Sequence, residues 1–406
     1  MKKFNWPLND SHFSILDRLK ICWFFLNPNN RWTQGDRVRQ YEEAWAKYTG
    51  SKYVVMTSSG STANTLIAEH TKDTSDFKTK KQVIFPSVTW QTSVSPWVRE
   101  GFKPVFIDVN LEDFSIDLDK LENYLSKHHG KVNTVFVTSL IGLTPDMPRL
   151  LSLCRKHEVS LKMDNCENSF GEIWQVSNDL DVLDVKHISS YVTSTTSGYF
   201  GHQTTNGGEC GFIFTNSEEE YAYYLMNRSH GMVRTLAPYA DKFSKDLIKE
   251  HGNDEVDGRF DFRWLGNNYR NTDIGAFMGL LDFKRIPQYI AKRKKLGELF
   301  LSSLNGSKYI IPTTYIGQQH VLFCLPIICK DQNNIKFAKK YCEKNGIEYR
   351  PIISGNLLRQ TCYKKFGNYK KFGNAELLHN NGIYVGLYPK LNPQKIKDLV
   401  SYLNKL

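Results

Sequence analysis

The sequence KYVVMTSSGSTANTLIAEHTK, residues 52–72, passes from an apolar run through a turn of small residues into a helix-like stretch. Further strand-like or helix-like segments follow downstream: KQVIFPSVTW (81–90), KPVFIDV (103–109), NTVFVTSLIG (133–142), DMPRLLSLCRKHEV (146–159) and SLKMDNCE (160–167). Short buried strands that alternate with helices are typical of a mostly parallel sheet covered by helices on both faces. We therefore predict an α/β fold whose ligands bind at the carboxyl ends of the strands.

The last third of the chain has a different pattern. A long helix is predicted from Thr272 to Leu304, with Pro287 interrupting it. It is followed by strand-like HVLFCLPIIC (320–329), helical NNIKFAKKYCEKN (333–345) and strand-like IEYRPII (347–353). We therefore predict a large domain over residues 1–284, with a helical N-terminal segment, and a smaller α+β domain over residues 285–406.

Composition narrows the class of protein. The 406 residues are 40% hydrophobic and 23% charged, as in globular proteins with a sizeable core. A net charge of +11 is compatible with nucleic acid, a membrane surface or a polyanionic small substrate. Because the lysines are spread along the chain, we interpret most of this charge as solvated surface and predict no nucleic-acid or membrane partner.

The cysteines and the N-terminal segment indicate the compartment. Eight scattered cysteines without a C-x-x-C pair predict reduced thiols in the cytoplasm, with neither a disulfide framework nor a metal site. MKKFNWPLNDSH (1–12) has no apolar run behind its lysines, so we expect no signal peptide. ILDRLKICWFFL (15–26) predicts an amphipathic helix that is too short to span a bilayer.

Several motifs contain residues that could bind a ligand. TSSGSTAN (57–64) predicts a helix start where N–H groups and hydroxyls could bind phosphate, or simply a tight turn with a helix cap. Trp90 follows a strand and could contact a heteroaromatic ring or belong to the core. Asp164 ends a hydrophobic strand, where a carboxylate needs a partner; it could cap a helix or bind a cationic ring nitrogen.

Two later loops add polar candidates. FRWLGNNYRNTDIG (262–275) contains Asn268 and Arg270, and GIEYRPIISGNLLRQ (346–360) contains Glu348, Arg350 and Asn356. From residue type alone, the default interpretation is a solvated loop for the first pair and a surface strand and turn for the other three, with a ligand contact as the alternative.

Taken in chain order, these motifs resemble the DegT-like sugar-nucleotide aminotransferases, a branch of the fold-type I pyridoxal-phosphate (PLP) enzymes. The resemblance runs from Gly35 to GIYVGLYP (382–389). It implies an aspartate-aminotransferase-like fold and a homodimer in which Asn268 reaches the neighbouring subunit's site. It also implies the cofactor contacts, with phosphate on Gly60, Ser61, Thr62 and Ser197, the ring on Trp90, and the ring nitrogen on Asp164 beside Glu167.

One position departs from the aminotransferases. SGYFGHQTTNGGECGFIFT (197–215) is predicted to form a strand, a glycine-rich turn and a second strand, and it has His202 where the family has a cofactor-binding lysine. This substitution is similar to that of the 3-dehydratases that use pyridoxamine phosphate (PMP), and RSHGMVR (228–234) adds to the likeness. The resemblance implies PLP or PMP bound non-covalently and His202 acting as the base, since imidazole can exchange protons near neutral pH.

The implied reaction removes the C3 hydroxyl of a nucleotide-linked 4-keto-6-deoxy sugar for O-antigen or another surface polysaccharide. Arg270, Glu348, Arg350 and Asn356 are our candidates for substrate binding. One member of this branch needs an iron–sulfur cluster held in part by a C-x-C pair, and no cysteine here forms one. The sequence therefore favours the GDP-linked course, in which a donor such as L-glutamate regenerates PMP.

Two other functions stay open from the sequence. A sugar aminotransferase would need a displaced lysine, and the nearest one upstream of His202 is Lys186. A non-catalytic family member would keep the fold without the chemistry. Gln203 follows His202 where the dehydratase branch has a second histidine, which bears on the geometry of the turn.

Overall fold

The computed structural model describes residues 4–10, 13–176, 182–244, 255–313 and 318–406, so Lys2 and Lys3 of the predicted N-terminus lie outside it. The strands are β1 (Tyr53–Thr57), β2 (Gln82–Pro86), β3 (Lys103–Ile107), β4 (Val132–Thr138), β5 (Ser160–Asp164), β6 (Glu172–Val176), β7 (Val182–His187), β8 (Thr193–Ser197), β9 (Gly211–Thr215), β10 (Gln318–Gln319), β11 (Cys324–Ile328), β12 (Tyr349–Pro351) and β13 (Gly382–Gly386). The described α-helices are α1 (Ile15–Leu26), α2 (Asp36–Thr49), α3 (Gly60–Thr74), α4 (Gln91–Arg99), α5 (Leu118–His128), α6 (Met147–Lys156), α7 (Glu218–Asn227), α8 (Asp273–Phe283), α9 (Ile286–Ser303), α10 (Gln332–Lys344), α11 (Gly373–Asn381) and α12 (Pro393–Leu403).

The central sheet has the strand order β1-β9-β8-β5-β4-β2-β3. Strand β9 pairs antiparallel with both β1 and β8, while the pairs β8–β5, β5–β4, β4–β2 and β2–β3 are parallel. Six strands therefore run in one direction, which confirms the predicted mostly parallel α/β sheet. Their carboxyl ends lie along one edge, together with the amino end of β9.

The predicted elements match the structure closely in the first half of the chain. The run 52–72 forms β1 and α3, and the segment 15–26 forms α1 over the residues predicted. The stretch 197–215 differs, since its first strand ends at Ser197 and a loop of residues 198–210 leads to β9. Pro287 does not interrupt a helix; it lies in the first turn of α9, where the missing N–H has no intrahelical acceptor to lose.

A second, antiparallel sheet has the order β11-β13-β12. The buried apolar residues around it include members of α9, α10, α11 and α12 and form one cluster. Trp6, from the other end of the chain, belongs to the same cluster and donates from Nε1 to the Gly386 carbonyl at 2.9 Å. The domain boundary at residues 284/285 stays a prediction, and Trp6 packs across it.

Helix α1 leaves several of its apolar side chains uncovered in the single chain. Ile15, Leu16, Trp23 and Leu26 are each more than two-thirds exposed. Its buried Asp17 forms an ion pair with Arg285 at 2.5 Å, which anchors the helix beside α9. Throughout the described part of the chain, every helix falls short of the length and apolar character that crossing a bilayer requires.

The loop after β4 joins the two sheets. Ile141 and Gly142 both have positive φ, at 59° and 79°. Their carbonyls accept hydrogen bonds from the N–H groups of Phe323 (2.8 Å) and Val321 (3.2 Å). A Cβ on Gly142 would lie 2.1 Å from the Val321 carbonyl oxygen, so only glycine fits there without displacing the backbone.

Gly142→Ala is expected to destabilise the protein by more than about 2 kcal/mol, because it adds both backbone strain and a backbone clash. Thermal or denaturant unfolding would measure the loss. Gly130→Ala is the matched control, since no atom lies within 4 Å of its added Cβ. Equal stability of the two variants would contradict the assigned role of Gly142.

Candidate active site

The start of α3 lies at the carboxyl edge of the central sheet. Ser59 and Thr62 form a reciprocal capping box, with Ser59 Oγ accepting from the Thr62 N–H at 3.1 Å. Within the described residues, the N–H groups of Gly60 and Ser61 donate to no protein atom. A Cβ on Gly60 would lie 3.3 Å from Ser197 Cβ, so these predicted phosphate ligands lie side by side. Such a helix start favours an anion.

Asp164 is a buried carboxylate at the end of β5, with 2% of its surface exposed. Oδ2 accepts from Asn64 Nδ2 and from Ser93 Oγ, both at 2.7 Å, and Oδ1 accepts from the Cys166 N–H at 3.0 Å. Within the described part of the chain it has no ion-pair partner. A buried charge of this kind is stable only when a cation compensates it, so the geometry fits a cationic ligand.

Glu167 follows one turn later and differs from Asp164. Its Oε2 accepts a hydrogen bond from the Ile141 N–H at 2.8 Å. Burial, opposed by this bond and reinforced by the charge of Asp164, raises the pKa of the Glu167 carboxyl to about 8. Glu167 is therefore mostly protonated at neutral pH and can donate a proton as well as accept a hydrogen bond.

The His202 ring faces the same edge. Its Nδ1 lies 2.6 Å from the Cys166 carbonyl oxygen, and because that oxygen can only accept, Nδ1 must hold the proton. Nε2 is then left as the basic nitrogen. Burial lowers the pKa of His202, so the ring is neutral at pH 7. This is the form that can accept a proton.

Gln203 points the other way. It is fully buried, with Oε1 accepting from the Ser169 N–H at 2.8 Å and Nε2 donating to the Val321 carbonyl at 2.7 Å. Both ends of its amide are therefore used inside the protein. Gln203 fixes the loop and leaves His202 as the side chain of this pair that faces the site.

Trp90 precedes the first turn of α4 and is 54% exposed, so the alternative that it belongs to the core is wrong. The strand end that carries it is fixed by residues 354–357: Ser354 Oγ donates to the Thr89 carbonyl at 2.5 Å, and the Leu357 N–H donates to the Ser87 carbonyl at 2.9 Å. An exposed indole on a fixed backbone offers a flat face to a ligand.

Residues in or next to the second sheet pack on the other side of His202 and form one wall of the site. The Phe323 ring lies 5.3 Å from that of His202 and 6.5 Å from that of Tyr384, measured between centroids. On the neighbouring strand, Arg350 stands opposite Tyr384 and pairs with Glu348 at 2.8 Å. The two predicted substrate residues therefore lie together at the far side of this wall.

Comparison with known proteins identifies the family to which the chain belongs. The model of the DegT/DnrJ/EryC1/StrS aminotransferase family matches residues 26–404. The chain belongs to this family. It is 30% identical to "GDP-4-keto-6-deoxy-D-mannose 3-dehydratase" of Yersinia pseudotuberculosis over 387 residues, which cover 93% of each protein.

Solved structures agree with this assignment. One is "E coli GDP-4-keto-6-deoxy-D-mannose-3-dehydratase with bound hydrated PLP", with a TM-score of 0.85 and 27% identity over 99% of this chain and all of that one. A second GDP-4-keto-6-deoxymannose-3-dehydratase, with a "trapped PLP-glutamate geminal diamine", also has a TM-score of 0.85 and 27% identity, over 98% of this chain and all of that one. The predicted PLP-enzyme fold is confirmed.

The residues of this family member fit PLP without a covalent link. The unpaired carboxylate of Asp164 suits a protonated ring nitrogen, and the open N–H groups of Gly60 and Ser61 suit a phosphate. Among the described lysines, Lys186 lies on β7 of a separate sheet and Lys162 is paired with Glu220 at 2.7 Å. No hydrogen bond joins a lysine to Asp164, Glu167 or His202 in the described residues.

Three of the predicted site residues do not lie beside Asp164 and His202. Asn356 is fully buried, and its amide donates to the Tyr369 carbonyl and to Glu376, so direct substrate contact does not fit its geometry. Asn268 and Arg270 lie on an exposed loop, where Arg270 Nε donates to Asn268 Oδ1 at 3.1 Å. That loop runs beside the end of β1, where the Ser58 N–H donates to the Tyr269 carbonyl at 2.8 Å and Asn271 Nδ2 donates to the Thr57 carbonyl at 2.9 Å.

A basic pocket of about 450 Å³ adjoins this loop. Its cationic lining consists of Arg31, Arg39, Arg234 and Arg270. Asp36 also lines it and is paired with Arg39, which leaves a net positive surface. Such a surface suits a polyanion such as a diphosphate.

The sequence analysis did not identify the residues that orient Asp164 and His202. Asn64 and Ser93 bond Asp164, the Cys166 carbonyl orients His202, and Phe323 covers it. Asn64 lies in the quoted TSSGSTAN motif, so its position just inside a helix was a usable signal. Phe323 gave no such signal, because its contact with His202 joins residues that are far apart in the chain.

The tautomer of His202 can be measured directly. We expect ¹⁵N NMR of histidine-labelled protein at pH 7 to show a neutral His202 ring protonated at Nδ1, because the Cys166 carbonyl accepts from that atom. His202→Asn identifies the resonance by its absence. A ring that is charged at pH 7, or protonated at Nε2 alone, would contradict the assigned geometry.

Proposed function

We propose that the chain is a PMP-dependent dehydratase that removes the C3 hydroxyl of a nucleotide-linked 4-keto-6-deoxy sugar, with GDP as the nucleotide. The observation that carries this proposal is His202: a neutral imidazole, whose Nε2 has no hydrogen bond to the described residues, occupies the turn where aminotransferases of the family have a lysine. The named relatives act on a GDP-linked sugar of this kind, and one holds a PLP–glutamate adduct. L-glutamate is accordingly the proposed amino donor.

The large domain supplies the cofactor contacts. We assign the phosphate to Gly60, Ser61, Thr62 and Ser197, one face of the ring to Trp90, and the ring nitrogen to Asp164. PMP, when bound, supplies an amine for the sugar ketone and a ring that accepts electrons. Asp164 keeps the ring nitrogen protonated, because moving a proton away would leave its own buried charge uncompensated.

His202 and Glu167 carry the proton transfers. The Cys166 carbonyl holds the His202 ring by Nδ1, so Nε2 can remove a proton on the cleft side. Protonated His202 is then a suitable acid for the departing C3 hydroxyl. Glu167, neutral at pH 7, would place a hydrogen-bond donor beside Asp164 without adding a second negative charge.

The substrate is proposed to lie between two subunits. The exposed Asn268 and Arg270 would face the neighbouring subunit's cleft, and the arginine-rich pocket would bind the diphosphate. Glu348 and Arg350 contact the substrate from the second sheet. The uncovered apolar side chains of α1, and Leu265 on the same loop as Asn268, support a homodimer. We place the enzyme in the cytoplasm, in synthesis of O-antigen or another surface polysaccharide.

The test is incubation of the purified protein with GDP-4-keto-6-deoxy-D-mannose, PLP and L-glutamate, followed by mass spectrometry. We expect a product lighter than the substrate by one oxygen atom, which is the 3-deoxy-4-keto sugar. The C3 hydroxyl leaves as water, and the electron pair and protons that replace it at C3 come from L-glutamate by way of PMP, so 2-oxoglutarate and ammonia should appear in equal amount. His202→Asn should lower turnover by roughly 10²–10⁴-fold. His128→Asn, at the last residue of α5, where the ring is half-buried and packs beside Tyr124, should leave turnover unchanged.

His202→Lys distinguishes the alternatives. This variant should lose dehydration and allow borohydride to fix the cofactor to the protein, because a lysine can bond the aldehyde and an imidazole cannot. Borohydride fixation in the unmodified protein, or an amino sugar as product, would favour an aminotransferase. Absence of cofactor binding would favour a non-catalytic member.

Asp164→Asn is expected to weaken PLP affinity at least about tenfold, because the neutral amide cannot compensate a ring cation. Equilibrium dialysis with absorbance detection measures this. Asp108→Asn is the matched control: Asp108 is also buried just after a strand of the same edge, but it is paired with Lys120 at 3.2 Å. Equal losses in both variants would contradict the ring-nitrogen role.

A further inference from the structure

Arg293 on α9 is a buried cation without a carboxylate partner. Its side chain is 1% exposed, and no ion pair to it is formed within the described residues. A buried guanidinium is costly unless other groups compensate its charge. The position of Arg293 therefore calls for a structural reason.

Three main-chain carbonyls supply the compensation. Nη1 of Arg293 donates to the carbonyls of Leu322 at 3.2 Å, Phe323 at 3.0 Å and Leu387 at 2.9 Å. The last of these follows β13, while the first two precede β11. Arg293 thus joins the two strand ends at the point where the second sheet meets the cleft.

The same short segment is held from two other sides. Gln203, next to His202, donates to the Val321 carbonyl, and the loop after β4 bonds Val321 and Phe323 through Ile141 and Gly142. With Arg293 behind it, residues 321–323 have little freedom to move. The Phe323 ring is consequently kept against His202.

We propose that Arg293 is a positioning residue for the base: it fixes the main chain at residues 322–323 so that Phe323 stays packed on the His202 ring. This deepens the proposed function and rests on it for the role of His202. Loss of the three carbonyl contacts would release Phe323 and let the imidazole turn or hydrate. Misplacement of a base by about 1 Å can cost roughly 10²-fold in rate.

Electrostatics act in the same direction. Burial, opposed by the Cys166 carbonyl and the charge of Asp164, lowers the pKa of His202, and the nearby Arg293 charge lowers it further. The titratable and charged groups that act on this ring are Asp164 and Cys166 after β5, Tyr199 on its own loop and Arg293 on α9. Glu167 and Tyr384 lie one contact further away, beside Asp164 and Phe323. Removing the guanidinium should therefore raise the proton affinity of His202.

The experiment compares Arg293→Met with Arg293→Lys. In Arg293→Met we expect the His202 ring to bind its proton about tenfold more tightly by NMR titration, and kcat to fall more than KM rises. The acid limb of the pH–rate profile should move to higher pH. Arg293→Lys keeps a charge and three donors, so it should restore most of both values.

Tyr309→Phe is the control for a merely structural effect. Tyr309 is as buried as Arg293 and belongs to the apolar cluster around the second sheet. Its hydroxyl donates to the Leu403 carbonyl at 2.7 Å, away from His202. It should lower stability without changing the His202 titration. An unchanged His202 titration in Arg293→Met, or equal behaviour of the Met and Lys variants, would overturn the proposal.

The NMR titration needs no turnover, so it separates two failures. If the protein does not dehydrate the sugar but Arg293→Met still shifts His202, the proposed function is wrong and the positioning contact stands. If dehydration is observed and the His202 titration does not respond, the positioning role alone is wrong. Should Arg293→Met fail to fold, Gln203→Ala tests the same segment from its other side, because it removes the bond to the Val321 carbonyl, and it is expected to shift the His202 titration.

Discussion

The carboxylate of Asp164 is the constraint on which the site depends. It is taken out of water at the end of β5, and its oxygens are bonded by Asn64 of α3 and Ser93 of α4. These bonds fix both helix starts against the strand end, which also brings Gly60 and Trp90 to the same edge. Because these donors are neutral, they fill the hydrogen-bonding positions of the carboxylate oxygens but do not compensate the negative charge. A cationic ligand would compensate it.

His202 and Gln203 show how adjacent residues divide two tasks. The imidazole is held by one atom, Nδ1, which leaves Nε2 available for the proposed proton transfer. The amide uses both ends to tie the loop to Ser169 and Val321. A glutamine is well suited to this bridge, since it offers a donor and an acceptor without a charge. The glutamine in place of a second histidine is therefore compatible with a fixed orientation of the His202 ring.

The sequence predicted the parts that depend on local pattern. The strands of the central sheet are short apolar runs, and Asp164 stood out because it ends one of them. Asn356 also looked like a polar loop residue, yet it is buried, because residues 354–359 fold back onto β2 and α11. Contacts such as Phe323 with His202 join segments more than a hundred residues apart, and hydrophobic periodicity contains no information about them.

The two carboxyls of Asp164 and Glu167 have different hydrogen-bond partners although they lie three residues apart. Asp164 accepts three hydrogen bonds, whereas Glu167 accepts one, from Ile141. Burial raises the pKa of Glu167 from about 4.5 to about 8, so the unfolded chain releases this proton at lower pH than the folded one. Stability from this group is therefore present below pH 4.5 and is lost as pH rises towards 8. At neutral pH Glu167 therefore adds no full negative charge beside Asp164.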